Sequence, residues 1–270
     1  MKHNEILQTL SWLHEIGVQE VTLPEPVNRF EQVRMGRKKK IDAAAQLQLP
    51  VKPTLQMPAP STRTLVSNQQ AIQNATELAS NVKTLGELRD AMASFEGCDL
   101  KHTAMNLVFG DGNPDADIML IGEAPGADED RQGKPFVGMS GQLLDKVFAS
   151  IGLDRSKIYI TNMLPWRPPG NRQPTNTETA ACLPFVRRHI ELVNPKLLVM
   201  VGGVSSKTIL DRPEGITRLR GKEITYESDG LKQPIQAMAI YHPAYLLRSP
   251  SRKQDTWYDM LRIRDMVQTV

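Results

Sequence analysis

A chain of 270 residues with 40% apolar content is long enough for one domain of about 200 residues around a real core, with an appendage to spare. Its net charge of +3 and pI near 8.8 are compatible with nucleic acid but too weak to argue for it. No apolar run approaches the roughly 20 residues of a membrane span, the first residues carry acids and no cleavable signal pattern, and two cysteines, Cys98 and Cys182, make no disulfide framework, so a cytoplasmic protein is expected.

Taken in chain order, Ile6, Leu7, Leu10, Leu13 and Ile16 fall at helical spacing and predict a short helix ahead of the break at Pro24 and Pro26. The basic run Arg37–Lys40 follows, then four prolines between Pro50 and Pro60. The basic run reads either as a solvated stretch or as a tether for DNA phosphates. Residues 1–66 are therefore expected to form a short helix plus a basic, proline-rich flexible linker, and 67–270 the functional domain. From Ser67 the pattern is helical, and Thr84 with Glu87 has the form of a capping box.

Four strand-like runs come next, at residues 117–123, 157–163, 196–203 and 234–242. Helical stretches at Gly141–Ile151 and Thr177–Val193 separate the first three. A short helix after Gly203, a turn-rich, hairpin-like stretch over residues 216–230 and a last helix over Arg252–Val270 complete the chain. Strands alternating with helices predict an α/β fold, a three-layer α/β/α arrangement around a central, mainly parallel four-stranded sheet. Such sheets bind ligands outside the carboxyl ends of their strands. Glu123, Asn162 and His242 all stand at such ends, which argues for one site.

Three motifs occupy these ends. In GEAPG, Gly122–Gly126, two glycines and a proline suggest a tight loop that lets backbone approach a ligand. Glu123 is either a water-positioning carboxylate or an ordinary surface acid; Asp128, Glu129 and Asp130 read as caps of the next turn. Phe136, between Pro135 and Gly138, is either core or a stacking platform for an extruded base. Asn162 is either a satisfied turn residue or an amide aimed at a polar heterocycle edge. Arg167 and Arg172 flank a stiff diproline turn suited to phosphate contact. His242 opens HPAYLLR, residues 242–248. It is either structural or a donor to developing negative charge.

As a set, GEAPGADEDRQGKPFVG, TNMLPWRPPGNR and HPAYLLR resemble the uracil-DNA glycosylases, specifically the bacterial and archaeal iron–sulfur type called family 4, over residues 85–270. The resemblance implies a monofunctional DNA-repair enzyme that flips uracil out of DNA and hydrolyses its glycosidic bond. It implies Glu123 and His242 as catalytic residues. It places Gly122, Ala124, Gly126, Glu129, Phe136 and Asn162 around uracil, with Glu129 beside the C5 position, Phe136 stacked on the base and Asn162 reading its edge. It assigns Arg167, Arg172, Leu246, Leu247 and Arg248 to DNA, one of the leucines filling the space of the flipped base and the other packing inward. The implied partner is uracil-containing DNA, the expected state a monomer, and no membrane partner is expected. A non-catalytic damage-binding protein of the same fold and a glycosylase preferring hypoxanthine or xanthine are the alternatives. A related group cross-links to DNA through a histidine in an inserted basic segment; no such segment follows Asn162, so cross-linking is not expected.

The chain departs from the family at the cluster. The iron–sulfur type spaces its cysteines as C-x2-C-x-L, one in KCRPP and one about sixteen positions on. Here those places hold Phe95, Cys98, Trp166 and Cys182. Two thiolates cannot fill a four-thiolate set, so no cofactor and no metal are expected. Hydrophobic packing by Phe95 and Trp166 should replace the cluster, with Cys98 and Cys182 as neighbouring free thiols. Unrelated core cysteines would not be neighbours.

Overall fold

The computed structural model describes residues 68–269. The short helix and linker expected before Ser67 lie outside the described residues.

The sheet has the strand order β1-β3-β2-β4-β6-β5. Its centre is the four strands read from the apolar runs: β2 (Ile118–Gly122), β3 (Ile158–Asn162), β4 (Leu197–Val201) and β6 (Ile235–Ile240), all parallel. Two short antiparallel edge strands widen the expected four-stranded sheet to six: β1 (Asp111–Gly112) on β3 and β5 (Ile224–Tyr226) on β6. These segments are two and three residues long, too short for side-chain alternation to reveal them. The hairpin-like stretch therefore does not fold on itself. Its strand pairs with β6, Tyr226 opposite Ile235.

Period-two alternation divides the strand side chains between two faces. Met119, Ile121, Leu198, Met200, Ala237 and Ala239 point to a layer formed by α5 (Asn176–Val193) and α6 (Gly203–Leu210). Ile118, Leu120, Val199, Val201, Met238 and Ile240 point to α4 (Met139–Ala149) and α9 (Lys253–Thr269). Helices on both faces make the three-layer α/β/α arrangement, and explain why the parallel strands read as continuous apolar runs.

A further apolar cluster lies away from the sheet. There α1 (Asn68–Ser80) and α2 (Leu85–Ser94) pack on α5 through Ala71, Ala75, Leu88 and Met92. The Thr84 hydroxyl accepts the Glu87 amide at 3.1 Å and starts α2. The Glu87 carboxylate reaches back to the Lys83 amide, at 2.6 Å, one residue before the usual capping-box partner.

Candidate active site

Strands β2 and β4 lie side by side, but the chain leaves them in opposite directions, towards β3 and towards β6. The connections use opposite faces, α4 and α6. This is a topological switch point, where an open α/β sheet leaves a crevice. A cavity of about 820 Å³ opens there, walled by Glu123, Glu129, Phe136, Asn162 and His242 together with the Gly202–Val204 turn after β4. Ala124, Gly126, Arg172 and Arg248 also border it.

Glu123 follows β2 directly, and one carboxylate oxygen accepts the Val204 amide at 3.1 Å. Gly202 has φ 110°, and a Cβ there would stand 2.4 Å from that oxygen. Glycine is required on both counts. Sequence reading missed this turn, although a glycine pair between a strand and a helix was its available signal. Gly122 lies behind the cavity wall rather than in it. A Cβ on Gly122 would meet the Phe136 ring at 2.5 Å and Asn162 Oδ1 at 2.4 Å, so its bareness lets both close on the strand end.

His242 caps α8 (Pro243–Arg248), its Nδ1 accepting the Ala244 amide at 3.1 Å. An acceptor at Nδ1 places the proton of the neutral ring on Nε2. Burial holds the imidazole below its usual pKa, against the opposing pull of Glu123, so the ring is a neutral Nε2–H donor at neutral pH. The Phe136 ring lies 5.7 Å from it, centroid to centroid, tilted by 30°.

Phe136 belongs both to the core and to the cavity wall. It has φ 54°, the left-handed region that costs a non-glycine residue on the order of 1 kcal/mol or more. Its loop is held from two sides. Glu129 accepts the amides of Val137 (2.9 Å), Gly138 (2.8 Å) and Gly126 (3.1 Å), tying the two glycine loops together. Arg155 donates to the Pro135 carbonyl at 3.2 Å and to the Phe136 carbonyl. Glu129 thus borders the cavity with its carboxylate committed to backbone. Asp130 does the same work nearby, accepting the amides of Met105 and Asn106.

The predicted DNA contacts separate. Leu246 is 1% exposed and packs between α4 and α9, so it is the inward leucine, buried away from the surface at which DNA contact was expected of it; Leu247 is 41% exposed. The i, i+1 spacing on a helix sends them to different sides. Arg248 borders the cavity. Arg172 also does, but its guanidinium pairs with Glu178 at 2.6 and 2.9 Å, beside the capping box that starts α5. Arg167 does not border the cavity; it donates to the Asn171 side chain at 2.7 Å.

The four cluster positions meet in the apolar cluster of α1, α2 and α5: Phe95, Cys98, Trp166 and Cys182 are all buried there. Phe95 packs edge-on against Phe185, centroids 5.1 Å apart. The two cysteines are neighbours. A hydrogen bond between them holds the Cys98 thiol below its usual pKa and, with burial, the Cys182 thiol well above. Two thiols and two aromatic rings do not fit a four-thiolate cluster. Among the described residues no three His, Cys, Asp or Glu side chains are grouped to hold a metal, and no helix is long and apolar enough to cross a membrane.

Comparison with known proteins agrees with the geometry. The family model of the uracil DNA glycosylase superfamily matches residues 109–262. The type-4 uracil-DNA glycosylase of Archaeoglobus fulgidus is 38% identical over 189 residues, 68% of this chain and 94% of its own. That of Thermotoga maritima is 40% identical over 157 residues, 58% and 79% of the two chains. The type-5 enzyme of Pyrobaculum aerophilum is 31% identical over 150 residues, 50% and 64%. With the matched segment spanning every wall of the cavity from Glu123 to His242, the chain belongs to the uracil DNA glycosylase superfamily.

Proposed function

We infer that the protein is a uracil-DNA glycosylase that removes uracil from DNA in base-excision repair. One observation carries the reading: a carboxylate, an aromatic ring, an amide and a neutral imidazole converge on a single cavity, in a chain over a third identical to type-4 enzymes. The base leaves the stack at a cost of a few kcal/mol, least in a mispair. Phe136 stacks on it and Asn162 hydrogen-bonds its edge, a pattern that cytosine would mismatch. The C1′–N1 bond breaks with its electron pair leaving on uracil, and the Nε2–H of His242 donates to the carbonyl oxygen that gains charge. A water ordered by Glu123 adds its oxygen to C1′, and the proton it loses passes to the Glu123 carboxylate and from there to the departing uracil anion. The neutral histidine suits this task because a preorganised donor stabilises developing charge without itself transferring a proton.

Residues 67–270 form the catalytic domain in this reading, and residues 1–66 an accessory segment. Leu247 fills the space of the flipped base, and Arg248 contacts phosphate. Arg167 and Arg172 reach the DNA backbone only by exchanging their present partners, Asn171 and Glu178. The protein acts as a cytoplasmic monomer. It folds without an iron–sulfur cluster, because Phe95 and Trp166 occupy two ligand places.

The test is release of free base from oligonucleotides carrying U·G, U·A, single-stranded U, T·G or hypoxanthine. Uracil release from the first three is the expected result. Tight binding without release would mean a non-catalytic binder, and release confined to hypoxanthine would mean a different base.

A further inference from the structure

Arg155 does not itself line the cavity, yet it holds Phe136, a cavity residue with left-handed backbone. It lies in the turn between α4 and β3 and uses four bonds. Nη1 donates to Asp111 on β1 at 2.7 Å and to the Pro135 carbonyl at 3.2 Å. Nη2 donates to the Phe136 carbonyl, and Nε to Asp145 on α4 at 3.1 Å. The two carboxylates aim the guanidinium, and the guanidinium grips two successive carbonyls. Only a planar fork with several donors can do this; a lysine ammonium is a single point charge on a flexible stem.

We propose that Arg155 is a positioning residue for base excision: it holds Phe136 in the left-handed conformation that presents its ring to the flipped base. The proposal rests on the uracil-excision reading given above for Phe136. A φ of 54° is disfavoured for phenylalanine. Freed of its carbonyl anchors, the residue relaxes towards negative φ, and the ring direction changes with the backbone. Glu129 holds the other end of the same peptide, the Val137 amide, and the Gly138 amide beyond it. The two anchors thus grip opposite ends of one peptide group, and Arg155 adds a hold on the preceding Pro135 carbonyl.

The experiment compares Arg155→Gln and Arg155→Lys with the unaltered chain, alone and in a Phe136→Ala background. Single-turnover uracil release should fall about tenfold or more in both Arg155 variants, with DNA affinity within about twofold. Hydrogen exchange at the amides of Val137 and Gly138 should quicken. In the Phe136→Ala background the same Arg155 change should alter the rate by less than twofold, because the ring it serves is gone. A loss that multiplies with that of Phe136→Ala, or an unaltered rate in both variants, would overturn the proposal. Should Arg155→Gln fail to fold, Arg155→Lys, which keeps the charge between Asp111 and Asp145, carries the same comparison. Should the unaltered chain release no uracil, the function is wrong. Hydrogen exchange then decides the clamp separately: faster exchange at Val137 and Gly138 supports it, and no change overturns it.

Discussion

The cavity rim and the packed cluster around Trp166 are held together by different physics. At the rim, hydrogen bonds set the orientation of the working groups: Val204 to Glu123, Ala244 to His242, Arg155 and Glu129 around Phe136. In the cluster, Phe95, Trp166 and Phe185 fill space, and the two thiols are hydrogen-bonded to each other. The rim tolerates little chemical change because each bond is directional. The cluster answers mainly to volume, since apolar packing has no preferred partner. On the cluster-free reading proposed above, this contrast explains how aromatic rings can take a place that the iron–sulfur type gives to a metal while the site keeps its residues. The cluster fastens α1 and α2 to α5, and apolar packing by aromatic rings there serves that end.

The largest effect should come from emptying the cluster. Trp166→Ala should cost about 3–5 kcal/mol of unfolding free energy, read by urea titration, while single-turnover excision by the folded fraction stays near normal. Cys98→Ser and Cys182→Ser should cost less, about 0.5–3 kcal/mol each. The purified chain should hold no stoichiometric iron. Iron with visible iron–sulfur absorbance, or loss of it on changing either cysteine, would erase the distinction drawn here.

Next in size are the rim groups. Glu123→Gln keeps an acceptor for the Val204 amide, and His242→Ala removes the Nε2 donor. Each should slow single-turnover release about 10²–10³-fold, equivalent to roughly 2.7–4 kcal/mol, with DNA affinity and melting temperature close to those of the unaltered chain. A loss confined to DNA affinity would show that these groups bind the ground state rather than the transition state.

The most gradual effect, small over any one pH unit, sharpens the comparison through pH. His189 on α5 is buried against Tyr159 and Phe109, and burial pushes its pKa down to about 3. His242 moves in the same direction for the same reason. A histidine lowered on folding stabilises fully above its unfolded pKa near 6.5. That contribution is lost as pH falls, because the unfolded chain binds the proton first. For His189 the loss runs from about pH 6.5 towards 3, at up to about 1.4 kcal/mol per pH unit. His189→Gln should flatten the slope of stability against pH in that window by this amount. An unchanged slope would mean that the histidine is already charged in the fold.

How much of this was legible follows from the range of each interaction. The four parallel strands and the flanking helices could be read from apolar runs and helical spacing, because these patterns are local in the chain. The convergence of Glu123, Asn162 and His242 was readable too, since all three end strands of one parallel sheet. Equally, the two-thiol deficit at the cluster is a matter of residue identity alone. What required the folded chain is every choice between adjacent or distant partners. The edge strands β1 and β5 exist because a neighbouring strand offers hydrogen bonds, and their own sequences carry no period. Leu246 and Leu247 are the same residue type one position apart, and only the packing of α8 against α4 and α9 decides which one turns inward. Glu129 reads as a cap of its own helix, yet it also bonds amides eight and nine residues away. Arg155 is one loop arginine among many until tertiary structure brings Asp111, Asp145 and the Phe136 carbonyl within reach of one guanidinium. Periodicity and composition determine elements because they act between near neighbours; side-chain orientation in a site is decided by groups that only the fold brings together.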